Sequence, residues 1–493
     1  MRSLLRSSKV GMAFAVAALV IGIVLALHRY VSVVGQGLGF DNASFLTNGA
    51  VFSGFYQYGY DTTRPPLIPA ILASVFLVTG GPRVESGIIV SGIFYAVGVF
   101  GTYLLAKSVV DRSLALLSAI SFNTIVNVVY WAGSGYSDVE SMAVASLGLG
   151  LVVHATQRQR PKEYLIAVPV LLLAFFTRYT MGAVIIAALV YLSLENRNKK
   201  LDTEKIYFGF MLSIMVAAAV AYKWFGYAGG SISNFFPQSH QVAGTLVQTG
   251  YVTNLVTELG NGAYGILLLS LFVGASLLFV HDLFKRKINS VIAALYVWIV
   301  LALAYYSLFQ IDPPGGNADI LRYSIEFVYP MILLGFWFVH RTVETLWTRT
   351  PHLSRRTMWA GMAIVAILLV IVSGYASFAS GWNENSVPSA GLNANSAMQE
   401  AAGWLNHNAP TNTTLASPWS AGLQWYAPQF RVYWFDGSRQ LNQTFAMQIG
   451  QLARAHVNYL VWSSADGKLP WNNRHLQLAW QSQNDWVEIY KIS

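Results

Sequence analysis

The sequence predicts an α-helical polytopic membrane protein of about eleven spanning helices, with a small extracytoplasmic α/β domain at its C-terminal end. Three observations predict it. Only 11% of the residues are charged and mean hydropathy is +0.47, against roughly 25% charge in an ordinary soluble domain, so most of the surface must meet lipid. Apolar stretches long enough to cross about 30 Å of hydrocarbon recur along the chain. From residue 380 onward the composition changes to that of a water-facing domain.

The first stretch, near 10–31, follows the basic start Met1-Arg-Ser-Leu-Leu-Arg-Ser-Ser-Lys9. It is too long for the apolar region of a signal peptide and lacks a small-x-small cleavage site, which predicts a retained first helix. Further spans are expected near 86–106, 113–131, 139–156, 163–177, 179–194, 206–225, 262–281, 289–309, 324–340 and 358–378. Between the first two lies an outer loop over 35–85. Within it Pro65-Pro66 opens an apolar run to Val78 that is short for a crossing, so it predicts an interfacial helix lying on the outer side. Residues 1–379 thus read as the membrane module and 380–493 as the soluble domain. In that domain Met398 to Leu405 has the pattern of an amphipathic helix, and Thr413 to Ser417 and Val457 to Trp462 those of strands.

Charge distribution sets the expected orientation. The N-terminus and the links 107–112, 158–163, 195–205, 281–287 and 341–356 hold 19 of the 31 Lys and Arg residues. By the positive-inside rule they lie in the cytoplasm of a plasma-membrane protein, and the C-terminal domain lies outside. A net charge of +9 therefore reflects orientation, and no nucleic-acid partner is expected. With no cysteine in the chain, disulfide, thiolate and Cys-ligated metal chemistry is excluded. No organic cofactor is expected.

Charges at the expected outer end of the bundle are the candidates for chemistry. Asp41 follows the first span in Gly39-Phe-Asp-Asn-Ala-Ser44, and Asp138 and Glu140 sit in Trp131-Ala-Gly-Ser-Gly-Tyr-Ser-Asp-Val-Glu140 between two apolar helices. Helix capping and dipole stabilisation are the plainer readings of all three. As a group they would suit a general base, or a divalent cation such as Mg or Mn held by oxygen ligands from Asp41, Asp138 and Glu140. Arg64, Arg178 in Phe176-Thr-Arg-Tyr-Thr180 and Arg322 fall on the same expected side, against the inside bias. Each alone reads as a snorkelling interface residue. Collected, they would clamp a phosphate anchored to lipid. Sugar transfer from such a phosphate needs a stabilised leaving group and an activated acceptor oxygen, which these two sets of side chains would supply.

At this point the chain resembles the GT-C membrane glycosyltransferases, especially the protein mannosyltransferase and aminoarabinose transferase (PMT-like or ArnT-like) branch. The resemblance rests on Phe40-Asp-Asn42, Thr63-Arg-Pro-Pro-Leu67, Tyr136-Ser-Asp-Val-Glu140, Thr177-Arg178, Asp319-Ile-Leu-Arg-Tyr-Ser324 with Tyr329-Pro330, and the helix Met398 to Pro410. It implies a GT-C fold and a polyprenyl-phosphate sugar donor, of dolichyl or undecaprenyl type. The implied acceptor is an extracytoplasmic protein, lipid or envelope glycan. By the same resemblance Asp41 is the catalytic base, Asp138 a second catalytic residue, and Arg64, Arg178 and Arg322 contacts to the donor phosphate. The chain lacks the Trp-Trp-Asp-x-Gly signature of the oligosaccharyltransferases, which argues against asparagine glycosylation, and it has Asp41-Asn42 where many relatives have Asp-Glu. A transporter or flippase is the alternative reading of a polytopic chain with ionisable residues.

Overall fold

A computed structural model of the 493-residue chain describes residues 8–33, 40–59, 64–123, 137–198, 211, 215, 263–309, 317–349, 389–435, 443–463, 475–483 and 486–492. These residues are mostly helical. The predicted stretches near 206–225 and 358–378 lie outside the described residues, apart from Met211 and Met215, and the one near 113–131 is described only as far as Asn123. The chain forms two compact units, one of residues 1–32, 91–133 and 137–382, the other of residues 33–90, 134–136 and 383–493.

The helices of the first part of the chain are α1 (Ser8–Val33), α2 (Phe40–Phe52), α3 (Leu67–Thr79), α4 (Val84–Ala106), α5 (Arg112–Asn123), α6 (Ser137–Gln157), α7 (Tyr164–Thr177) and α8 (Gly182–Asn198). They are followed by α9 (Ala263–Phe284), α10 (Ser290–Phe309) and α11 (Asn317–Arg349). Among the described residues, Val84–Ala106, Ser137–Gln157, Tyr179–Asn196 and Gly265–Phe284 are long and apolar enough to cross a membrane. Their helical form follows from the sequence, because a backbone in lipid must satisfy its own hydrogen bonds within the segment.

The core of the first unit joins α4 through α11 by side chains such as Tyr103, Leu149, Leu171, Tyr191, Trp298 and Tyr329, all buried. Outward-facing residues of α1, including Val16, Val20, Val24 and Leu27, are apolar and exposed, as a lipid-facing surface requires. Helix α6 packs closely on α7 because Gly148 lets the backbones approach. A Cβ at that position would lie 2.5 Å from the Cα of Leu171.

The second unit pairs α2 and α3 with the C-terminal domain. Helix α3 buries Ile68, Pro69, Leu72, Ala73 and Phe76, begins after Pro66, and ends at Gly80 in the left-handed conformation (φ 78°). Its Phe76 ring lies 6.4 Å from that of Trp425, and the Tyr56 hydroxyl donates to the Trp425 carbonyl at 3.1 Å. Gly59 adopts φ 97°, and a Cβ there would sit 2.2 Å from the Gln424 side chain. Only glycine meets both conditions.

The C-terminal part comprises α12 (Ser389–Asn408), β1 (Thr414–Ser417), α13 (Ser420–Tyr426), β2 (Arg431–Trp434), α14 (Gln443–Arg454), β3 (Tyr459–Ser463), β4 (Leu476–Gln481) and β5 (Val487–Ile492). The five strands form one sheet in the order β2-β1-β3-β5-β4. Strands β1, β2 and β3 are parallel, while β5 runs antiparallel to both β3 and β4. Period-two alternation gives the central strands β1, β3 and β5 two buried faces. Leu415, Val461 and Ile489 pack with Met398, Ala401 and Leu405 of α12, whereas Ala416, Leu460 and Trp462 pack with Ile449 of α14. The buried Gln424 holds α13 to β2. Its amide nitrogen donates to the Phe430 carbonyl at 2.8 Å, and its oxygen accepts from Val432 N–H at 3.2 Å.

Candidate active site

Helices α6 and α7 form an antiparallel hairpin closed by a short 3-10 turn, Pro161–Glu163. At the closed end the Thr156 and Tyr164 hydroxyls hydrogen bond at 2.6 Å. At the open end the first turn of α6, which contains Asp138, returns beside the residue that follows α7, which is Arg178. Arg178 is extended (φ −160°, ψ 127°) between α7 and the 3-10 turn Tyr179–Met181, and this break directs its side chain off the helical path.

The Arg178 guanidinium Nη1 donates to Asp138 Oδ1 in a short ion pair. Its Nε lies 2.6 Å from Oε1 of Glu326, a residue of α11. The same Oε1 accepts from the Thr180 and Tyr306 hydroxyls, each at 2.6 Å, and Arg178 Nη2 lies 3.4 Å from the Tyr306 hydroxyl. The Asp138 and Glu326 side chains are each 1% exposed, and that of Arg178 12%. The guanidinium thus lies between two buried carboxyl groups. Their burial is tolerable only because the ionised groups are paired and further hydroxyls donate to the carboxylate.

Glu140 does not join this cluster. Two residues apart on a helix, Asp138 and Glu140 turn to different neighbours, and the buried Glu140 accepts from the Ser91 hydroxyl at 2.5 Å. Among the described residues no three His, Asp or Glu side chains are grouped to hold a metal ion. Asp138 is already matched to the Arg178 cation.

The other sequence candidates are placed as follows. Asp41 is the second residue of α2, and its side chain lies outside the described residues. Arg64, in the second unit, sits over the Phe45 ring at 5.8 Å. Arg322 is in the first turns of α11, four residues before Glu326, and its side chain likewise lies outside the described residues. The structure thus brings Asp138 and Arg178 into contact and adds a partner that sequence reasoning missed, Glu326. The signal for it was present, since Glu326 is a lone carboxylate in the otherwise apolar run from Ile325 to Trp337. Thr180 and Tyr306 carried no comparable signal.

Residues 63–224 match the family model of the dolichyl-phosphate-mannose-protein mannosyltransferases. Comparison with curated protein sequences gives no match. Among solved structures, the chain is similar to an archaeal oligosaccharyltransferase from Archaeoglobus fulgidus in complex with an inhibitory peptide and a dolichol-phosphate. There the TM-score is 0.61 at 12% identity, over 97% of this chain and 74% of that one. It is also similar to ArnT from Cupriavidus metallidurans bound to undecaprenyl phosphate, with a TM-score of 0.59 at 10% identity over 98% of each chain. A third similarity is to the arabinofuranosyltransferase AftD from Mycobacteria, with a TM-score of 0.59 at 13% identity over 96% of this chain and 40% of that one. At such identities the structural likeness establishes the fold. The family match spans the stretch of the chain that contains both Asp138 and Arg178.

Proposed function

We propose that this enzyme moves one sugar from a polyprenyl-phosphate donor to an acceptor outside the cytoplasm. The observation that carries the reading is the Asp138–Arg178–Glu326 cluster within a fold shared with proteins captured with dolichol-phosphate and undecaprenyl phosphate. A guanidinium gripped by two carboxylates has a fixed plane. A phosphate approaching it would meet an oriented cation rather than one that must first be ordered. Because the Arg178 cation is already shared with Asp138 and Glu326, further cations would strengthen the hold on a phosphate ligand. Arg322, on the same helix as Glu326, and Arg64 are proposed for that role on their sequence motifs. Asp41 is proposed as the base that takes the acceptor proton. Eleven spans, a cytoplasmic N-terminus and a plasma-membrane location complete the reading.

The direct test is turnover of a panel of polyprenyl-phosphate sugars by the purified protein and its Asp41→Asn variant. Wild type is expected to consume at least one donor. Asp41→Asn is expected to retain its melting temperature while losing turnover by about 100-fold or more, the scale of a lost general base. Equal turnover by both proteins eliminates Asp41 as the base. Donor movement across vesicle membranes without sugar transfer would favour the transporter alternative.

A further inference from the structure

A polar cavity lies at the opposite end of α6 from the Asp138 cluster. Its volume is about 400 Å³, and Lys107, Arg112, His154 and Arg158 line it together with Leu104 and Met12. Asp138 and His154 are sixteen residues apart on one helix, a separation of about 24 Å at 1.5 Å per residue, so this cavity is distinct from the candidate active site.

The positive-inside rule accounts for basic residues at this end of the chain, but not for their convergence on a cavity. The Lys107 ammonium is half-buried over the Tyr103 ring at 5.5 Å. Burial, followed by the neighbouring Arg158 and Arg112 cations, holds it below the usual lysine range. Among the described residues, neither Glu163 nor Asp111 forms an ion pair with Lys107 or Arg158. Glu163 pairs with Arg160 at 3.0 Å and lies 3.9 Å from His154, while Asp111 accepts from the Ser113 and Leu114 N–H groups at the start of α5. Neither Lys107 nor Arg158 makes an ion pair among the described residues. Crowded cations of this kind are relieved by an anion.

The rim of the cavity indicates where that anion comes from. Met12 is 63% exposed, and it begins the apolar outward face of α1 that continues through Val16, Leu19, Val20 and Ile23. A ligand with its phosphate against Lys107 and Arg158 and an acyl chain along α1 would satisfy both surfaces. We infer that this cavity binds the phosphate headgroup of an anionic membrane lipid, at a site separate from that of any sugar donor.

The test uses the full chain purified in a neutral detergent, with phosphatidylglycerol added and retained lipid counted by native mass spectrometry. Wild type is expected to retain phosphatidylglycerol in preference to phosphatidylcholine. The Lys107→Gln/Arg158→Gln variant should bind it at least about tenfold more weakly, since each basic residue near a lipid phosphate contributes about 1 kcal/mol. Lys107→Arg, which keeps the cation, should retain most of the binding that Lys107→Gln loses. Lys285→Gln/Arg286→Gln, in another basic link, should bind as wild type does. Undiminished binding by the Lys107/Arg158 variant at an unchanged melting temperature overturns the site. Competition by millimolar inorganic phosphate without selective lipid retention overturns the lipid as the source of the anion. None of these readouts depends on sugar transfer.

Discussion

Arg178 is held by groups from three helices, Asp138 at the start of α6, Tyr306 of α10 and Glu326 of α11. Removing the buried guanidinium takes away the cation that lies between two buried carboxyl groups. Arg178→Met should therefore cost about 3–5 kcal/mol of stability, and much of that should return when Asp138→Asn and Glu326→Gln are added to it. Thermal melts of the single and triple variants in detergent would check this. An Arg178→Met protein that melts with wild type would mean the three side chains do not interact. The same cluster shows how far residue-level reading reached. The motifs around Asp138 and Arg178 were legible as candidates, while Glu326 was missed although it is an ionisable residue in an apolar run. That these three meet depends on how α6, α7 and α11 pack, and residue spacing within one helix carries no record of that.

At the scale of elements, the position of the cluster depends on the α6–α7 hairpin and its close approach at Gly148. Gly148→Val would push branched carbons into the Leu171 backbone and force the helices apart. A destabilisation of about 1–3 kcal/mol is expected from such overpacking, with Gly148→Ala milder than Gly148→Val. Donor turnover should fall with it, as the Asp138 and Arg178 ends separate. Melting temperature and turnover measured together would show this coupling, and a fully active, fully stable Gly148→Val protein would contradict it. Helix periodicity and the hydrophobic runs announced α3 after Pro65-Pro66 and α12 in the tail, but not α2, which falls in the expected outer loop, nor the short α13 and α14. Strands β2, β4 and β5 were not foreseen, since β2 has four residues and the exposed Gln477 and Leu478 of β4 blur its alternation.

At the scale of the whole molecule, the absence of cysteine in the sequence gives a clean background for single-cysteine labelling. Lys285→Cys is expected to react with a membrane-impermeant maleimide only after permeabilisation, and Gln451→Cys in intact cells. Both positions are exposed. Labelling of the two from the same side would overturn the proposed orientation. Hydropathy by itself determined a helical chain with several segments long and apolar enough to cross a membrane, because lipid imposes length, apolarity and internal hydrogen bonding on each segment separately. Two things were decided only by tertiary structure. One is the union of α2 and α3 with the C-terminal domain, sealed by Tyr56, Phe76 and Trp425. The other is the meeting of Asp138 with Arg178 and Glu326. Each joins residues far apart in the chain through packing, and a contact of that kind is fixed by the shapes of both partners, which no local pattern encodes.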